Sequence, residues 1–175
     1  MSKTINLTID GKKIQATEGA NLLQVALDNG IQIPYLCYHR KLSPTGACRM
    51  CVVKIKDQKG LIMSCTVNAR EGMEVTAFDD ELESTRKRTL EYLLAEHNDH
   101  YDGTYYDEFR NYVLQYNLDH RDERSYPNIY KQMRYPVDDT SPILSYDGTK
   151  CIKCFRCIKA CDEVQGKNVL SFSQR

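Results

Sequence analysis

Thr4-Ile5-Asn6-Leu7-Thr8-Ile9-Asp10-Gly11-Lys12-Lys13-Ile14-Gln15-Ala16-Thr17 decides the fold of the N-terminal half. Apolar residues alternate along the first six positions, Asp-Gly supplies a two-residue turn, and a second alternating run follows. This is a β-hairpin. A helix is expected from Ala20 to Asn29, with Leu22, Leu23, Val25, Ala26 and Leu27 on one face and Gly30 as its stop. Two further strands, Cys51–Lys56 and Leu61–Thr66, are joined by Asp57-Gln58-Lys59-Gly60, and a last strand spans Met73–Phe78. Hairpin, helix and more strands make an α+β unit that closes by Phe78. Between helix and strand, residues 31–50 form a loop punctuated by Pro34, Pro44 and Gly46, long enough to need a reason for being ordered.

The cysteines supply that reason. All eight fall into two groups: Cys37, Cys48, Cys51 and Cys65 as C-x10-C-x2-C-x13-C, and Cys151, Cys154, Cys157 and Cys161 as C-x2-C-x2-C-x3-C. The N-terminus has no apolar leader and no run of about 18 apolar residues occurs, so a soluble chain in the reducing cytoplasm is expected, its clustered thiols serving as metal ligands. With 24 Lys+Arg against 24 Asp+Glu there is no electrostatic case for nucleic acid or an anionic membrane as partner, and no direct membrane insertion is expected. A chain of 175 residues suits one or two small domains.

In the first group, Gly46 and Ala47 let the backbone fold tightly ahead of Cys48, so that N–H groups reach the sulfurs of a [2Fe-2S] centre, and Arg49 adds positive charge. Zinc is the main competitor, but structural zinc usually draws on two short-spaced knuckles and only Cys48/Cys51 is one. Disulfides or free thiols remain as lesser alternatives. In the second group, three Cys at steps of three suit the corners of a [4Fe-4S] cubane better than a tetrahedral zinc site. Lys150, Lys153, Arg156 and Lys159 would compensate the charge of such a cluster, or be ordinary solvated surface.

Ile33-Pro34-Tyr35-Leu36-Cys37-Tyr38-His39 with Gly46-Ala47-Cys48-Arg49-Met50-Cys51-Val52-Val53 resembles the [2Fe-2S] ferredoxin domain shared by three related proteins. These are the large iron-sulfur subunit of NADH dehydrogenase, iron-only hydrogenase and NAD-linked formate dehydrogenase. Residues 151–166 resemble the ferredoxin-like [4Fe-4S] segment of the same family. The resemblance implies a β-grasp fold for 1–78, a helical segment over 79–138, and a [4Fe-4S] ferredoxin-like segment, apparently incomplete, over 139–175. In two-cluster ferredoxins the fourth Cys of such a run serves the other cluster and a second run completes both. None follows Cys161, so either Cys161 closes a single site or the domain is split or truncated, the preferred expectation.

The family's middle segment carries a His-x3-C-x2-C-x5-C site. Here His97 takes the place of the His, but Tyr101, Thr104 and Arg110 stand where thiolates would be needed, so this cluster is expected to be lost, with Tyr101, Tyr105 and Tyr106 filling the space. His97 is then an ordinary helix-end residue. A helix over residues 79–98, acidic at its start, carries Leu82, Leu90, Leu93 and Leu94 as a buried stripe. A second helix, Tyr106–Leu118, carries Phe109, Tyr112, Val113 and Tyr116. Residues 119–146 read as extended wrapping segments and Val169–Phe172 as a strand.

The function implied is an iron-sulfur electron-transfer subunit or module of a larger oxidoreductase of the formate dehydrogenase, hydrogenase or NADH dehydrogenase type. Its partners are the other redox subunits: a catalytic subunit and, optionally, one binding flavin or NAD. Two alternatives stay open: the N-terminal fragment of a catalytic molybdenum or tungsten formate dehydrogenase or iron-only hydrogenase, and a redox-inactive scaffold. No dinucleotide fingerprint, nucleophile elbow or P-loop occurs, so no catalytic residue is expected within the chain.

Overall fold

A computed structural model describes residues 3–97, 107–118 and 137–171. Its N-terminal part is a five-stranded mixed sheet of β1 (Thr4–Ile9), β2 (Lys12–Thr17), β3 (Val52–Ile55), β4 (Ile62–Met63) and β5 (Glu74–Thr76), in the order β2-β1-β5-β3-β4. β1 pairs antiparallel with β2 and parallel with β5, while β3 pairs antiparallel with β5 and β4. The hairpin is the expected one. Asp10 and Gly11 both have positive φ, as a type I′ turn requires. Asp10 also accepts a hydrogen bond from Ala77 N at 2.8 Å, tying the turn to the end of β5. Ile5, Leu7 and Ile9 of β1 point into the core with Ile14, Val53 and Val75.

Helix α1 (Leu22–Asp28) starts two residues later than its apolar pattern suggests, because Asn21 is its cap. The Asn21 side chain accepts from Gln24 N, and its backbone bridges to Asn68. Gly30, at φ +78°, ends the helix in a Schellman motif: Gly30 N–H donates to Leu27 O and Ile31 N–H to Ala26 O. The expected strand Leu61–Thr66 is shorter than its sequence suggests. It breaks after Met63 into a 3-10 turn, Ser64–Thr66, which swings Cys65 inward.

Asp79 caps α2 (Asp80–Glu96), its carboxylate accepting from Leu82 N at 2.8 Å, with Asp80, Glu81 and Glu83 in the favourable first turn. Leu82, Arg86, Leu90 and Leu94, four residues apart, form its buried stripe. α3 (Glu108–Gln115), capped by Asp107, buries Phe109 and Val113. The Phe109 ring lies 4.9 Å from that of His97, which is buried just past the end of α2. Tyr101, Thr104, Tyr105, Tyr106 and residues 119–136 lie outside the described residues.

The chain divides into two compact units, Met1–Arg86 with Cys154–Arg175, and Lys87–Lys153. In the first unit, α4 (Arg156–Lys159) runs into a π-helical turn, Ala160–Val164. The strand expected at Val169–Phe172 is not formed over its described residues, 169–171, which have no partner strand there and are largely exposed. No described helix is long and apolar enough to cross a membrane.

Candidate metal centre

Four cysteines meet beside the mouth of the sheet. Cys37 lies in the loop after α1, Cys48 and Cys51 bracket the approach to β3, and Cys65 sits on the turn after β4; all four are buried. The loop reaches them through conformations that few sequences allow. Gly46 has φ +66°, and a Cβ there would come within 3.0 Å of Thr66 Cγ2. Arg49, between the paired cysteines, is itself left-handed at φ +56°. Cys65 is held through its own carbonyl, which accepts from Asn21 Nδ2 at 2.6 Å. Ser64 N and Oγ both donate to Cys51 O, at 3.0 and 2.8 Å.

The sulfurs contact one another in a row, Cys48 to Cys37 to Cys65 to Cys51. Hydrogen bonds from the Cys48 and Cys65 thiols hold Cys37 down to about 2, against the opposing effect of burial. Cys51 is lowered chiefly by the Cys65 thiol. Cys48 is pushed up by donating to Cys37 and then by burial, and Cys65 by its hydrogen bonds with Cys37 and Cys51 and then by burial. Lowered and raised thiols therefore alternate along the row. Backbone N–H groups are also aimed at sulfur: Cys37 N lies 3.4 Å from Cys48 Sγ, Ala47 and Cys48 donate towards Cys37, and Cys65 towards Cys51. Such donors stabilise the negative charge that a metal-bound thiolate keeps. Among the described residues no three His, Cys, Asp or Glu side chains form a shell for a single metal ion.

The C-terminal group is spread over both units. Cys151 is half-buried in Lys87–Lys153, where Lys153 N–H donates to its sulfur at 3.4 Å. Cys154 is half-buried, Cys157 exposed and Cys161 buried in the other unit. Lys153 and Phe155, either side of Cys154, are left-handed at φ +55° and +67°, a strained alternation of the kind that turns N–H groups inward. Arg156 Nη2 donates to Tyr38 O at 2.8 Å, next to Cys37. Lys159 pairs with Glu163 at 3.1 Å, and both contact Ser43. Arg156 and Lys159 thus fasten the segment to the Cys37 loop, a role their sequence positions did not signal.

A family model described as "2Fe-2S iron-sulfur cluster binding domain" matches residues 2–79. The gamma subunit of NAD-reducing hydrogenase HoxS of Cupriavidus necator is 34% identical, over 98% of this chain and 72% of that protein. The chain belongs to this family of iron-sulfur subunits. The matched domain contains Cys37, Cys48, Cys51 and Cys65 and stops well short of Cys151. A solved NAD+-reducing [NiFe]-hydrogenase in its H2-reduced state contains a chain with a TM-score of 0.82 and 28% identity, covering 98% of this chain and 71% of that one. An NADH-quinone oxidoreductase subunit of Rickettsia typhi is 29% identical over 93% of this chain, which spans only 24% of that relative's length. The expected resemblance and the mixed sheet of a [2Fe-2S] ferredoxin-like domain are both borne out.

Arg86 was missed by sequence reasoning. It falls at the four-residue step between Leu82 and Leu90, and that interruption of an apolar stripe by a cation was the available signal.

Proposed function

We propose that the chain relays electrons between partner redox centres of a hydrogenase- or NADH-dehydrogenase-type oxidoreductase. In this reading Cys37, Cys48, Cys51 and Cys65 hold a [2Fe-2S] centre, and Cys151, Cys154, Cys157 and Cys161 a [4Fe-4S] centre. The observation that carries it is the buried row of four sulfurs with peptide N–H groups aimed at them. A row suits two sulfurs to each of two irons better than the shell of a lone zinc. Cys37 contacts both Cys48 and Cys65, and Cys65 contacts Cys51, so all four sulfurs belong to one connected set. Cys48 and Cys65 give up their protons on loading, and the N–H donors then compensate the thiolate charge. An iron-sulfur centre supplies reversible one-electron transfer.

The [4Fe-4S] assignment rests on spacing, on none of the four cysteines being in a disulfide and on the N–H donor to Cys151. Residues 1–78 form the [2Fe-2S] domain, 79–138 the connecting helical segment and 139–175 the [4Fe-4S] segment. Eight cysteines with no disulfide among them favour the cytoplasm. The partners are a catalytic subunit and further redox subunits; the formate dehydrogenase alternative rests on motif resemblance alone.

Anaerobic purification followed by iron and sulfide analysis and electron paramagnetic resonance tests the assignment. The reduced protein is expected to give a [2Fe-2S] signal that Cys65→Ala abolishes, while Cys157→Ala removes only the second centre. Zinc in place of iron and sulfide, or a [2Fe-2S] signal surviving Cys65→Ala, would refute it.

A further inference from the structure

The side chain of Arg86 is fully buried, with 0% exposure. Nε donates to Met50 O at 3.2 Å and Nη2 to both Val52 O at 2.8 Å and Ala77 O at 2.7 Å, while Nη1 pairs with Glu83. The guanidinium carbon lies 5.0 Å from the centre of the Phe78 ring. Burying a charge is costly, and replacing a buried ion pair by apolar residues is often neutral or stabilising, so stability alone does not account for a cation at this step of an otherwise Leu-lined stripe. Its position does. Met50 and Val52 flank Cys51, and the guanidinium donates to the carbonyl of each. The guanidinium therefore holds the backbone before and after Cys51, while Ser64 holds the carbonyl of Cys51 itself.

We propose that Arg86 positions Cys51 and sets the reduction potential of the [2Fe-2S] centre, by fixing the carbonyls on both sides of that cysteine and holding a buried positive charge beside it. The inference rests on Cys51 being an iron ligand. A guanidinium keeps its charge when buried, and its five donors match several acceptors at once, which a lysine cannot do. Its ion-pair partner, Glu83, is 41% exposed, so water screens the carboxylate more than the buried cation. Uptake of one electron turns one ferric iron ferrous and makes the centre more negative by one charge. A nearby cation favours that state and raises the potential.

The test is a redox titration with dithionite as electron donor, followed by electron paramagnetic resonance, on the purified loaded protein and on Arg86→Gln, Arg86→Lys and Glu83→Gln, with circular dichroism to verify the fold. At the midpoint potential of the unaltered protein, Arg86→Gln is expected to lower the reduced-to-oxidised ratio at least tenfold, equivalent to 59 mV for a one-electron couple. Arg86→Lys is expected to recover part of that loss. Glu83→Gln, at a half-exposed position, is expected to raise the ratio threefold or more, a sign that loosened packing would not produce. Ratios within twofold of the unaltered protein for folded Arg86→Gln, or for Glu83→Gln, would overturn the inference, as would a downward shift in Glu83→Gln. Loss of fold in Arg86→Gln leaves Glu83→Gln to decide. A [2Fe-2S] signal missing from the unaltered protein would overturn the ligand assignment too, whereas a full signal with unmoved potentials overturns the role of Arg86 alone.

Discussion

Gly46 shows how much one residue contributes to the cysteine loop. Its left-handed backbone and the nearness of Thr66 Cγ2 both disfavour a side chain. Gly46→Ala is expected to cost about 1–2 kcal/mol through backbone strain, plus a further loss from the clash, measured as a lower midpoint of thermal unfolding. Adding Thr66→Ser removes the offending methyl and should return only the clash part. If Gly46→Ala left the midpoint unchanged, the left-handed conformation of the loop would be wrong. Glu163 makes a prediction in pH. Hydrogen bonds from the Ser43 hydroxyl and N–H, followed by Lys159, hold its carboxyl near 2 against an ordinary 4.5. A carboxyl depressed on folding stabilises the native state fully above its unfolded value, and that stabilisation disappears as pH falls from about 4.5 to about 2. The carboxyl carbon of Glu163, followed by nuclear magnetic resonance, should titrate near the lower value and move up towards 4.5 in Ser43→Ala. Titration of the unaltered protein at the ordinary value would mean that the Ser43 contact does not form in solution.

At the scale of elements, two of the boundaries that differ from simple periodicity, the start of α1 and the end of β4, serve the cysteines. The alternation Ile5, Leu7, Ile9 and the Asp-Gly turn made the hairpin legible, because strand period and turn chemistry are local properties. The apolar run from Ala20 looked helical to its start, yet Asn21 interrupts it by serving two elements at once, capping α1 and donating to the carbonyl of Cys65. Asn21→Ala is expected to cost about 1–2 kcal/mol in unfolding free energy and to speed the loss of iron to a chelator. Asn21→Asp keeps the capping oxygen but loses the donor, so it should recover stability more than iron retention. Equal effects of the two substitutions on iron retention would remove the link to Cys65. The 3-10 turn at Ser64–Thr66 was invisible for the same reason: what bends it is Ser64 donating to Cys51, thirteen residues away.

For the whole molecule, the Cys154–Arg175 segment belongs to the same compact unit as the N-terminal sheet, and Arg156, Lys159 and Glu163 fasten it to the loop that carries Cys37. The sequence placed these residues about 115–120 positions from their partners, offering Arg156 and Lys159 as a positive frame for a cluster or as solvated surface and Glu163 with no role. The cysteine spacings, by themselves, pointed to the residue types that the proposed chemistry would use, because cysteines clustered on short steps are typical metal ligands. Hydrophobic period and turn residues likewise determined the α+β class. Tertiary structure alone decided that four sulfurs meet in a row of alternately lowered and raised thiols, and that Arg86 is drawn inside to grip the chain around Cys51. The physical reason is range: periodicity and turns act over a few neighbouring residues, whereas hydrogen bonds and buried charge act between atoms that only the folded chain brings within reach.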